Sequence, residues 1–179
     1  MTFGRVRALI FVGVLFVAGG IVVATTIHRD SQANPVVVAD CASGQVPAKT
    51  RMPDSRAQVT LNVYNGTKTA GLAETVADEL KFRGFKIDKV GTAAKQVNQI
   101  AVIAYGPQAI GAAYLVSANF LVDQAVMSFD IKRKDAEVDV TIGTQFEQLA
   151  TTTEVNQSIA AIGNPSLPAG TCNAPGNKG

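Results

Sequence analysis

Residues 8–27 form an unbroken run of 20 residues, Ala8 to Ile27, without a single charge, and this constrains the chain more than any other feature. At about 1.5 Å rise per residue, a helix of that length crosses the roughly 30 Å apolar core of a bilayer. Arg5 and Arg7 precede the run, whereas Arg29 is the only Lys or Arg that follows it before Lys49. Cationic flanks are retained on the cytoplasmic side. The expected layout is a cytoplasmic tail at 1–7, a transmembrane helix at 8–27 and an extracytoplasmic remainder, a single-pass protein of the cell membrane. A cleaved signal peptide would carry an apolar stretch of only about 7–15 residues and a small-residue cleavage site. The run is longer than that, and Val22-Val23-Ala24-Thr25-Thr26 is a poor site. Lipidation at Cys41 is disfavoured by Asp40 immediately before it.

Removing the anchor changes what the charge means. Of the 16 Lys and Arg residues, Arg5 and Arg7 lie before the span, which leaves 14 against 14 acidic residues. A formally neutral exported part has no field to hold a polyanion, so nucleic acid is not an expected partner. The two cysteines, Cys41 and Cys172, fall near the two ends of the exported part, in surroundings rich in Gly, Pro, Ala and Asn. An oxidising compartment permits their pairing, and a disulfide between them is expected.

Residues 28–57 contain Pro35, Pro47 and Pro53 and read as an extracytoplasmic linker. At 58 the pattern changes. Val59, Leu61 and Val63 alternate with Thr60, Asn62 and Tyr64, the signature of a half-buried strand. A helix is expected over about 70–83, with Leu72, Ala73, Val76, Ala77 and Leu80 on one face, Thr69 as N-cap and Gly84 after its end. Phe85, Ile87 and Val90 suit a second strand. The continuous apolar run Ile100-Ala101-Val102-Ile103-Ala104 reads as a central strand covered on both faces. Pro107 suits the first turn of a second helix, whose buried stripe is Ala109, Ile110, Ala113, Val116 and Phe120. Met127, Phe129 and Ile131, then Val138, Val140 and Ile142, alternate around a charged turn and suggest a hairpin. The expectation is a small α/β (α+β) domain of order β-α-β-β-α-β-β with a mixed sheet over 58–146. The tail at 147–179 is expected to hold one short helix near 152–162 and to be tied back by the disulfide.

Catalytic chemistry finds little material. His28 is the only histidine, no thiol or zinc set can be assembled from two distant cysteines, and the carboxylates are scattered. No cofactor and no catalytic or metal-ligating residue is implied. Two binding candidates remain. Asn65, Gly66, Thr67 and Lys68 lie at a strand-to-helix junction, where backbone N–H groups can hold an anion; an ordinary turn using glycine's freedom is the plainer reading. Lys81, Arg83, Lys86 and Lys89, with Lys132, Arg133 and Lys134 later, could meet an anionic polymer or head group if the fold gathers them. The plainer reading is a solvated helix end and a charged strand edge, because Asp78, Glu79, Asp88, Asp130 and Asp135 are interleaved.

Five short motifs in order resemble one known family. They are Val59-Thr60-Leu61-Asn62-Val63-Tyr64-Asn65-Gly66-Thr67, Ala70-Gly71-Leu72-Ala73 at a helix start, Arg83-Gly84-Phe85, Ile103-Ala104-Tyr105-Gly106-Pro107, and Val140-Thr141-Ile142-Gly143-Thr144-Gln145-Phe146. Together they resemble the LytR C-terminal domain, in its stand-alone, membrane-anchored form. Many members join this domain to a LytR-CpsA-Psr catalytic domain that transfers glycopolymers to peptidoglycan. The stretch between Ile27 and Gln58 is too short to hold such a domain, so ligase activity does not carry over. The resemblance implies a non-enzymatic role in cell-envelope integrity, through a cell-wall polymer or an envelope-assembly protein. The alternative it leaves is an accessory subunit acting in trans with a glycopolymer ligase.

Overall fold

A computed structural model describes residues 41–120 and 124–174, and the expected transmembrane helix at 8–27 lies outside them. Among the described residues, no helix is long and apolar enough to cross a membrane. The strands are β1 (Val46–Ala48), β2 (Thr60–Asn65), β3 (Lys86–Thr92), β4 (Ala101–Tyr105), β5 (Ala125–Phe129), β6 (Val138–Ile142) and β7 (Thr171–Asn173). The helices are α1 (Leu72–Phe82), α2 (Ile110–Ser117) and α3 (Thr152–Ile162), with 3-10 turns flanking α2 on both sides.

Five strands make one sheet in the order β3-β2-β6-β4-β5. Two βαβ units lie side by side: β2-α1-β3 and β4-α2-β5 each bring two strands together in parallel. Strand β6 fills the gap between them, parallel to β2 and antiparallel to β4. The sheet is therefore mixed, as expected, but its antiparallel pair is β4 with β6. The expected hairpin of β5 with β6 does not form. Strand β6 does run opposite to β5, yet β4 stands between them. The cause is burial. Val138, Val140 and Ile142 are fully buried, and a central slot gives β6 backbone partners on both sides.

The connection that makes this possible crosses the end of β4. Asp130 donates its N–H to the Tyr105 carbonyl at 2.9 Å, and Arg133 Nη1 donates to the Ala104 carbonyl at 3.3 Å. A Cβ on Gly106 would stand 2.6 Å from the Arg133 carbonyl oxygen, so only glycine lets the chain pass this close.

One face of the sheet carries the core. Leu61, Val63, Ala101, Ile103, Val138, Val140 and Ile142 pack in one cluster with Ala73, Val76, Ala77 and Leu80 of α1 and with Ile110, Ala113 and Val116 of α2. Both helices thus cover the same face, giving two layers. This corrects the reading of β4 as covered on both sides: Ala101, Ile103 and Tyr105 are buried, while Val102 and Ala104 are only half-buried. Among the described residues, the apolar side chains on its second side face no helix. The start of α1 also differs from expectation. The helix opens at Leu72 after Gly71, whose φ of 75° is left-handed, and no side chain caps it. Thr69 instead lies within the preceding turn.

The described segments outside 58–146, residues 41–57 and 147–174, are folded onto this domain. Residues 46–48, within the stretch read as a linker, form β1, which pairs in parallel with β7. Ala48 is fully buried, and the Lys49 N–H reaches the Pro107 carbonyl at 2.8 Å. A Cβ on Gly111 would fall 2.1 Å from the Arg51 carbonyl oxygen, so this segment needs glycine on α2 to seat. Cys41 and Cys172 form the expected disulfide, with their Cα atoms 5.6 Å apart. The tail helix α3 is capped at its N-terminus by a reciprocal box of Thr151 and Glu154 and packs Val155 against Ala118 and Ala150.

Candidate functional site

The strand registers lay two rows of side chains across the uncovered face. Lys89, Asn62, Asp139, Ala104 and Ser128 stand abreast in one row. Gly91, Tyr64, Thr141, Val102 and Val126 make the next. These are the outward positions of the period-2 alternation that buries Leu61, Val63, Val138 and Val140 on the other side.

The first row is held by a polar network. Asn62 is only 3% exposed, and its Nδ2 donates to Glu137 Oε2 and to Asp139 Oδ1, both at 2.8 Å. Its Oδ1 is buried and has no partner among the described residues. An unmet acceptor at such a position is costly. Arg133 grips Asp139 through Nη1 at 2.8 Å and Nη2 at 3.1 Å, and Asp135 through Nε at 2.8 Å. Burial works against the Arg133 charge, but its bonds to Asp139 and Asp135 raise its pKa above the ordinary value. Asp135 feels burial as well, yet its bonds from Arg133 and from the Glu137 N–H hold its carboxyl below the usual range. Lys89 lies 3.3 Å from Asp88 and 3.8 Å from Glu137, and the bond to Asp88 followed by the Glu137 charge raises its pKa.

The second row is more apolar. The Tyr64 ring runs alongside Gly91, whose added Cβ would meet it at 3.6 Å. Thr141, Val102 and Val126 continue the strip, and Val126 is 45% exposed. An aromatic ring, small apolar side chains and a flanking line of fixed donors and acceptors can stack and hydrogen-bond an extended polar ligand.

The expected site residues are distributed differently from a single patch. Asn65, Gly66, Thr67 and Lys68 form a turn bonded to itself. Asn65 Oδ1 accepts from the Thr67 N–H at 2.9 Å and hydroxyl at 2.8 Å, and its Nδ2 donates to the Thr69 carbonyl at 2.6 Å. The Gly66 N–H goes to the Ile142 carbonyl at 2.8 Å, and the Thr69 N–H to Thr67 Oγ1 at 3.0 Å. These amides are therefore engaged within the protein. Lys81 and Arg83 stand at the far end of α1, about 16 Å along an 11-residue helix from that turn. Arg83 is occupied: it bonds Glu79, the Asn119 Oδ1 at 3.2 Å and the Ala150 carbonyl at 2.7 Å. Lys86 is exposed on the edge strand β3. Of the expected basic residues, Lys89 and Arg133 are the two that the fold draws into one network, through Glu137, Asn62 and Asp139.

Elsewhere, an open groove of about 550 Å³ lies among Met52, Pro53, Arg56, Arg83, Leu115 and Ile159. Among the described residues, no group of three or more His, Cys, Asp or Glu is placed to hold a metal.

The architecture defines a two-layer α/β domain whose helices leave one sheet face open. Residues 58–146 match the family described as the LytR cell envelope-related transcriptional attenuator. The match starts in the 3-10 turn before β2 and ends just after β6, so β1, α3, β7 and the disulfide are additions outside it. Among solved structures, the soluble domain of a conserved hypothetical secreted protein from Mycobacterium marinum is similar, with a TM-score of 0.53 and 24% identity over 59% of this chain and 72% of that one. At that identity the likeness establishes a common fold. No curated protein matches the chain.

Proposed function

We propose that this protein is a membrane-anchored, extracytoplasmic envelope protein that binds a cell-wall component through the open face of its sheet and performs no chemistry on it. The observation that carries this reading is the pair of rows on that face, with Tyr64 over Gly91 beside the fixed Asn62–Asp139 network. A glycan strand offers this face its complement: apolar ring faces for Tyr64, and hydroxyl donors for Asp139, whose side chain is 28% exposed. The family's envelope context supports the setting. The Cys41–Cys172 disulfide supports an oxidising compartment, and the structural neighbour is described as secreted. The uncharged run 8–27 supplies the anchor, with the amino terminus cytoplasmic. In this layout the chain resembles the actinobacterial envelope-integrity protein Cei.

The test is co-sedimentation of the detergent-solubilised full chain with purified cell-wall sacculi. Tyr64→Ala is expected to weaken binding about tenfold, the usual effect of truncating an aromatic anchor. Wild-type protein that stays in the supernatant, or binding that Tyr64→Ala leaves unchanged, refutes the reading. Recovery of a glycopolymer ligase in place of wall material, lost in the same variant, would point to the accessory-subunit role. A reporter fused after Gly179 should be active only outside the membrane.

A further inference from the structure

The two edges of the five-stranded sheet are unlike. Strand β3 closes one edge with Lys86, Asp88 and Lys89 among its seven residues, and charges of this kind discourage another strand from adding. Strand β5 closes the other edge with Ala125-Val126-Met127-Ser128-Phe129, which has no charge and no proline. Among the described residues, its backbone pairs with β4 on one side only, and its outer side makes no hydrogen bond. Five residues match the usual length of a strand, enough to present a full set of donors and acceptors.

We propose that β5 pairs with β5 of a second copy of this chain, antiparallel and about a two-fold axis, to make one continuous ten-stranded sheet from two five-stranded ones. The sequence of the edge is self-complementary in that arrangement. With the axis at Met127, Ala125 lies opposite Phe129 of the other copy, small against large, and Met127 lies opposite itself. These three positions point to the helix side, where Met127 and Phe129 are only partly buried within one chain. On the open side, Val126 lies opposite Ser128. Just beyond the strand, Gln124 meets Asp130, a polar pair that closes each end. The formal charge balance of the exported part, 14 basic and 14 acidic residues once Arg5 and Arg7 are set aside from the 16, opposes no such approach. Closed two-fold pairing also uses up the edge in both copies, which prevents open-ended growth.

Charge exchange at the exposed pair tests this. In Val126→Lys/Ser128→Lys, each lysine faces one lysine of the partner copy, two like-charge pairs in all. In Val126→Lys/Ser128→Glu, each lysine faces a glutamate. Both variants alter only exposed side chains of β5, and a thermal melt verifies that each is folded. Sedimentation equilibrium of the detergent-solubilised full chain is expected to give a dimer for wild type and for the Lys/Glu variant. The Lys/Lys variant should dimerise at least about tenfold more weakly than the Lys/Glu variant, from two like-charge cross-strand pairs replacing two opposite-charge ones. A monomeric wild type, or equal dimerisation of the two variants, overturns the proposal.

Discussion

Breaking the Cys41–Cys172 bond should release one end of the chain and leave the other seated. The bond joins residues 131 apart in sequence, and the chain-entropy model assigns a closed loop of that size about 5 kcal/mol of stabilisation through the unfolded state. For a folded unit of this size, each kcal/mol moves the melting temperature by about 3 °C, so the ceiling on the loss is about 15 °C. The structure says how that ceiling is reduced. Strand β7 is held to β1 over three residues, with Val46 N–H to the Gly170 carbonyl at 3.0 Å and Ala174 N–H to the Ala48 carbonyl at 2.9 Å. Each such bond contributes about 1 kcal/mol net, whereas ordering irregular backbone costs roughly 1–2 kcal/mol per residue. Once uncoupled, β7 gains more by leaving than by staying, and the native state recovers part of the loss.

Strand β1 is anchored independently. Ala48 is fully buried, Gly111 donates its N–H to the Lys49 carbonyl at 3.0 Å, and Gln108 Nε2 donates to the Pro47 carbonyl at 2.8 Å. Hydrogen exchange on the Cys41→Ser/Cys172→Ser protein should therefore show protection lost at Thr171 to Ala174 and kept at Lys49 and Gly111, with melting lowered by less than the ceiling. Equal loss of protection on both sides, or an unchanged melting temperature, would refute this reasoning.

Arg83→Ala should cost about 2–3 kcal/mol in a denaturant titration, because the Asn119 side chain is fully buried and both it and the Ala150 carbonyl lose their charged donor. Wall binding should be unaffected in that variant once it is folded. Tyr105 is pushed up to about 12 by burial and then by Tyr114, against an ordinary 10.0. The raised value stabilises the fold below pH 10 and is lost as pH climbs from about 10 to 12, so Tyr105→Phe should flatten the alkaline arm of a stability–pH curve. Glu154 is held below its ordinary 4.5 by the Thr151 backbone N–H and then by the Thr151 hydroxyl. Its contribution to capping α3 is present above pH 4.5 and fades as pH falls through the lower folded value; circular dichroism should record less acid fraying in Glu154→Gln than in wild type.

The local elements were legible because each rests on a local cause. Alternation at Val59 to Tyr64 gave β2, and the spacing of Leu72, Val76 and Leu80 gave α1. The neighbours of β6 were not legible. Val138, Val140 and Ile142 alternate as cleanly as any hairpin arm, and the charged stretch from Lys132 to Glu137 looks like a turn. What decides against the hairpin is Gly106, which lets the Arg133 backbone cross the end of β4, and a glycine's role in a crossing appears only when both chains are in place. The start of α1 was misplaced for a related reason. Thr69 has the right chemistry for an N-cap, but Thr67 Oγ1 accepts its N–H within the turn, and Gly71 takes the left-handed turn into the helix.

The candidate site follows from that same misplaced strand. Alternation along β2 already sends Asn62 and Tyr64 to the side opposite Leu61 and Val63, and alternation along β6 does so for Asp139 and Thr141. Each half of the face could be written down from the sequence. Asn62 and Asp139 are nonetheless 77 residues apart, and only the insertion of β6 beside β2 sets them 2.8 Å from one another. Charge suffers the same change of meaning. Along the chain, Lys89 and Arg133 belong to two basic clusters and suggest an anion site. Across the sheet, β6 and the crossing that leads into it bring Glu137, Asp139 and Asp135 between them, and the two cations become supports for a carboxylate–amide network. A basic residue near an acidic one in sequence is screened by it only loosely. A basic residue whose neighbours are chosen by strand order is held in place, and here it fixes the Asn62 amide among its carboxylates on the buried side of the row.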